Sequence, residues 1–133
     1  MRVEPDPYCD LILSKKLPVE IVLDEPEVLA FIHPSPSFRP AHLIAIPKRH
    51  IRSLTELPEH PLVAVAMIDA LARLAAQVEA EHGQARIFTN VGALQHSRHL
   101  HWHVVAEQER IAKSPPTAEA AIVWAAYWQE IQP

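Results

Sequence analysis

The chain predicts an α+β domain built on a mainly antiparallel sheet. Three features carry that prediction: five short runs rich in β-branched and aromatic residues, one long helical repeat between the third and fourth of them, and a Trp-rich helical segment near the end. With 133 residues, 49 % of them apolar, one substantial core can be buried, and no repeat, low-complexity tract or linker marks a second domain.

Val19–Leu23 and Val28–Ile32 read as strands joined by a turn at Asp24-Glu25-Pro26-Glu27, hence as a hairpin. Residues 34–40 hold three prolines, which lack the N–H a ladder needs, so this segment is expected to be a rigid loop outside the sheet. His42–Ile46 follows as a third strand closed by Pro47. From about Pro61 to His82, Val63, Met67, Leu71, Leu74 and Val78 recur at three- and four-residue steps, predicting an amphipathic helix stopped by Gly83. Ala85–Val91 and Leu100–Val105 are strand candidates joined by a polar loop over 92–98. After Pro115-Pro116, Thr117 reads as an N-cap and Trp124, Tyr127, Trp128 and Ile131 share one helical face.

Composition narrows the function. A net charge of -4, from 12 basic and 16 acidic residues, offers no broad basic surface for a long nucleic acid but leaves room for a local site for a small anion. The single cysteine, Cys9, cannot form an intrachain disulfide, no basic head precedes an apolar N-terminal run, and no run of about 18 apolar residues is present. A cytoplasmic protein with no membrane association is the expectation.

Nine histidines are the informative excess, since a neutral imidazole at pH 7 can act as nucleophile, proton donor or metal ligand. In His99-Leu100-His101-Trp102-His103-Val104-Val105, histidine alternates with an apolar residue. On a strand, all three imidazoles would share one face, with Leu100, Trp102 and Val104 anchoring the other. Such a face reads either as a metal site or as a nucleophile with supporting donors. Spacing alone does not separate the two, although three neighbours on one strand spread over about 13 Å and at most two could share an ion.

The run His99–Val105, with Asn90-Val91-Gly92 and Gln95 before it, Tyr8-Cys9-Asp10 at the start and the stretch from Ala41 through Pro47, Lys48 and Arg49 to His50 upstream, resembles the histidine triad (HIT) superfamily of nucleotide hydrolases and transferases. The resemblance covers about residues 8–106 and leaves 107–133 as a C-terminal extension of a single domain, 1–133. It implies a five-stranded, mainly antiparallel sheet with one long helix and a C-terminal helix, assembled as a homodimer. The implied activity is hydrolysis of a nucleotide phosphoramidate or a dinucleoside polyphosphate through a nucleotidyl-histidine, with no cofactor. A nucleotide- or partner-binding protein of the same fold with little activity is the alternative.

Carried over by position, the resemblance makes His101 the nucleophile, with its ring proton held by the carbonyl of His99. His103 would donate to the leaving group or phosphate, His42 would buttress the nucleophile's surroundings, and Asn90 and Gln95 would bind phosphate oxygens. Each has a plainer reading: Asn90 as a turn former, His42 as a structural residue. Lys48 and Arg49 read as a solvated pair.

Three departures from the family pattern bear on the site. Where the family often carries an aspartate for the ribose hydroxyls, the chain has Ile32-His33-Pro34, so His33 is either a substitute donor or a packing residue. The loop from Asn90 to His99 is about two residues short, and His96 stands where a serine commonly donates to phosphate. Some members bind structural zinc through C-x-x-C plus the histidine after strand three and the first triad histidine. Here Ile12 stands where the second cysteine is sought, so Cys9, His50 and His99 give three ligands against the usual four, and no metal site is expected.

Overall fold

The computed structural model describes residues 5–110 and 119–131, so the proposed N-cap Thr117 lies outside the described residues. The elements are strands β1 (Ile21–Asp24), β2 (Val28–Ile32) and β3 (Phe38–Pro47), helix α1 (Pro61–His82), strands β4 (Arg86–Phe88) and β5 (Trp102–Arg110), and helix α2 (Glu119–Ile131). The five strands form one antiparallel sheet in the order β1-β2-β3-β5-β4.

Alternation along β2, β3 and β5 gives the sheet two distinct faces. Val28, Ala30, Leu43, Ala45, Val104 and Ala106 pack against Met67, Ala70, Leu71, Leu74 and Val78 of α1. The same strands turn Leu29, Phe31, Ile44 and Ile46 to the other side, where Tyr8, Ile12 and Leu17 of the N-terminal segment and Trp124 of α2 cover them. In length and composition α1 could cross a membrane, but its buried stripe faces the sheet, which is the place of an amphipathic core helix. Pro61 opens it at the first helical position, and Gly83, in the left-handed region at φ 80°, closes it by donating its N–H to Glu79 O at 2.7 Å.

Two expectations are corrected. The third strand begins at Phe38, inside the proline-rich segment expected to be a loop: the register shifts between Arg39 and Pro40, and such a bulge lets a residue without an N–H sit beside the ladder. The fifth strand enters the ladder only at Trp102, so His99, Leu100 and His101 form an extended lead-in rather than ladder positions. Hydrogen bonds outside the sheet hold that lead-in, beginning with Leu100 N–H to Ile51 O at 2.7 Å.

Candidate active site

His103 is a ladder residue, paired with Ile44 on β3 and with Phe88 on β4. His42, opposite Val105, lies diagonally from it on the same face. This register brings His42 Nε2 to 2.9 Å from His103 Nδ1. The backbone N–H of Ser37 donates to His42 Nδ1 at 2.9 Å, so neutral His42 carries its proton on Nε2 and donates it to His103 Nδ1. Neutral His103 then keeps its own proton on Nε2, as a donor. The Phe88 ring is stacked on His103 at 4.5 Å between centroids and 13° between planes, holding the imidazole flat against β4.

His101 is fixed in the opposite tautomer. Its Nδ1 donates to the carbonyl of His99 at 2.8 Å, leaving a lone pair on Nε2. Its own carbonyl accepts the Thr89 hydroxyl at 2.7 Å, and the ring of buried Tyr8 packs against it at 4.9 Å. Burial first, then the nearby imidazoles of His99 and His96, holds the His101 pKa below the usual histidine value, against the bond to the His99 carbonyl. For His103, burial and the neighbouring imidazoles of His101, His42 and His96 push it down to about 3. Two neutral imidazoles thus stand side by side, 5.4 Å between ring centroids, one with a bare nitrogen and one with an N–H.

The remaining residues singled out in the sequence divide. His33 is half-buried and stacks on His42 at 4.5 Å; its Nδ1 accepts the Ser35 N–H at 2.8 Å, which leaves an N–H on Nε2. His96 is exposed yet close enough for its charge to act on both His101 and His103. Asn90 is half-buried and follows Thr89, the residue bonded to the His101 carbonyl. Gln95 is corrected: its side chain is buried, and its amide N–H groups go to Arg52 O at 2.5 Å and Ser97 O at 2.8 Å, so it braces the loop and has no hydrogen left for a phosphate. Lys48 is paired with Asp24.

The His99 imidazole belongs to a second cluster. Its Nε2–H donates to Pro47 O at 2.8 Å, which turns the Nδ1 lone pair toward Cys9 Sγ at 3.4 Å, His50 Nδ1 at 3.3 Å and Asp6 Oδ2 at 3.1 Å. His50 Nδ1 is 2.8 Å from Asp6 Oδ2, and all four donor atoms lie within 4.8 Å of one another. Zinc bonds of about 2.0–2.3 Å at tetrahedral angles place donors about 3.3–3.6 Å apart, so one carboxylate, one thiolate and two imidazoles fit a closed four-ligand site. The expectation of no metal site rested on three candidate ligands; Asp6 brings a fourth donor atom to them. It stands three residues before Cys9, so a search for D-x-x-C beside C-x-x-C would have found it.

A sheet of this order carrying an H-x-H-x-H run with assigned tautomers defines a class, and the comparisons agree: residues 14–110 match the HIT domain family model, and the chain belongs to that family. It is 32 % identical over 96 residues to "Protein HitA" of Neisseria gonorrhoeae, covering 71 % of this chain and 89 % of that protein. Among solved structures it is similar to a HIT family hydrolase from Clostridium thermocellum, with TM-score 0.68, 25 % identity and coverage of 84 % and 98 %. A zinc-bound histidine triad family protein from Mycobacterium smegmatis superimposes with TM-score 0.67 at 26 % identity, covering 92 % of this chain and 93 % of that one.

Proposed function

We propose that this chain is a hydrolase of nucleotide phosphoramidates or dinucleoside polyphosphates that works through a nucleotidyl-histidine on His101. The observation that carries the reading is the pair of opposite tautomers: His101 with an unprotonated Nε2, His103 with an Nε2–H. The His101 lone pair attacks the α-phosphorus and forms a P–N bond, while the bond to the leaving group breaks and its electron pair departs with that group. The Nδ1–H bond to the His99 carbonyl stabilises the positive charge that His101 gains on attack. The His103 N–H offers a hydrogen bond to the departing or non-bridging oxygen or nitrogen, the role of a fixed dipole where charge develops. Water then attacks the same phosphorus, the P–N bond breaks, and neutral His101 returns; the proton that water gives up balances the one the leaving group takes.

The test is nucleoside monophosphate release from adenosine 5'-phosphoramidate and diadenosine polyphosphates by wild type and His101→Ala. Turnover that disappears in the variant, with nucleotide binding retained, supports the reading. Equal turnover in both proteins overturns it.

The same reading places the enzyme in the cytoplasm as a homodimer. Leu62, Val65 and Ile68 stand 81 %, 69 % and 60 % exposed on the outer face of α1, and Ile87 is exposed on β4, an edge strand of the sheet. An exposed apolar stripe and a sheet edge strand are each surfaces that a second copy of the chain would cover.

A further inference from the structure

The cluster of Asp6, Cys9, His50 and His99 lies where the two ends of the chain meet. Asp6 is fully buried, and its Oδ1 accepts the N–H of Cys9 at 3.0 Å, while Oδ2 faces both imidazoles. Its backbone N–H donates to the Tyr127 hydroxyl of α2 at 2.9 Å, and that hydroxyl donates onward to Asp10 Oδ2 at 2.5 Å. One turn before Tyr127, Trp124 packs against Tyr8 at 5.5 Å and His33 at 5.4 Å, and Tyr8 lies under the nucleophile candidate. His101, His103, His42, His33, Trp124 and Tyr8 therefore form a closed circuit of rings, neighbours 4.5–5.5 Å apart, which α2 completes.

We propose that a divalent cation of the zinc class, held by Asp6, Cys9, His50 and His99, docks α2 onto the sheet through the bond between Asp6 and Tyr127, so that metal occupancy sets the order of the helix that closes the site. Asp6 is the link between the ion and the helix, its side chain in the donor cluster and its backbone N–H on Tyr127. The Nε2–H bond from His99 to Pro47 leaves its Nδ1 lone pair pointing at a carboxylate oxygen, a second imidazole and a sulfur, four electron-rich atoms converging on one point. A cation satisfies all four at once and pins the Asp6 side chain, and with it the direction in which the Asp6 N–H meets Tyr127. A lone thiolate with a carboxylate also makes a harder and more exchangeable ligand set than two thiolates would, so occupancy can vary with metal supply.

The proposal is independent of the reaction, and so is its test. The full-length protein is stripped with a chelator and reloaded with zinc or cobalt. Hydrogen exchange of residues 119–131 is followed in wild type and Tyr127→Phe, which lacks the hydroxyl but keeps the ring. The expected results are one ion per chain, a cobalt spectrum with a thiolate charge-transfer band that Cys9→Ala abolishes, and α2 amides that exchange about tenfold more slowly when metal is present. Tyr127→Phe should keep the ion and the cobalt spectrum and lose most of the metal-dependent protection. Failure to take up stoichiometric cation, identical α2 exchange with and without metal, or full metal-dependent protection in Tyr127→Phe would each overturn the proposal. Should Cys9→Ala fail to fold, the loaded and stripped wild type and Tyr127→Phe decide the matter without it.

Discussion

His42 and His103 meet nitrogen to nitrogen at 2.9 Å, and only one of those nitrogens can hold the shared proton. The N–H of Ser37 decides which, because it occupies the far nitrogen of His42. Replacing His42 with phenylalanine keeps a ring of similar size against Phe38 but leaves His103 Nδ1 without its donor and frees the tautomer. The expected outcome is a fall in kcat of about 10²-fold with a smaller change in KM, read by steady-state kinetics. An unchanged kcat would remove His42 from the mechanism.

Thr89 holds His101 from the other direction, through the His101 backbone carbonyl. Thr89→Val preserves the shape and deletes the hydroxyl, so the carbonyl loses a partner at a cost of about 1–2 kcal/mol in stability. A drop in kcat with KM held, measured alongside urea denaturation, identifies Thr89 as a positioning residue; a stability loss with no kinetic effect identifies it as a structural one.

The parts of this fold that local chemistry dictates could be read from the sequence. The 3.6-residue period of α1 with Gly83 at its end, the β2 strand and the alternation of histidine with Leu100, Trp102 and Val104 all announced themselves, because each depends on neighbours a few residues away. The parts that depend on distant partners did not. Gln95 looks like a phosphate ligand until Arg52 and Ser97 are seen to take its hydrogens. His99 looks like a member of one catalytic face, yet Asp6, 93 positions away, draws its ring into another cluster. The start of β3 at Phe38 was hidden by prolines that a bulge accommodates.

Burial of His103 makes a prediction about acid. An ordinary histidine takes up a proton near pH 6.5, whereas folded His103 does so only at about 3. Between those values the unfolded chain binds the additional proton, so stability falls as pH drops, by up to about 1.4 kcal/mol per pH unit from this group. Denaturation at pH 7.5, 6 and 5 should show wild type losing stability more steeply than His103→Gln. Parallel curves would show that His103 does not hold back its protonation in the folded state.

The apolar stripe on α1 gives the assembly a direct check. Val65→Glu places a charge in the middle of Leu62, Val65 and Ile68, on a face that is mostly exposed among the described residues. Light scattering after size exclusion should give a dimer for the wild type and a monomer for the variant, with the helical circular dichroism signal intact. A monomeric wild type at tens of micromolar would refute the dimer.

Asp6 and Tyr127 are separated by 121 positions, and the hydrogen bond between them ties the N-terminal segment to the last helix. A ribosome adds the triad histidines at positions 99–103 before helix α2, so the emerging chain carries them for a time with one wall of the pocket still missing. Closing so long a span costs chain entropy that the contacts of α2 with the N-terminal segment must offset. The pocket is therefore walled on all sides only after α2, the last element in the chain order, has been made.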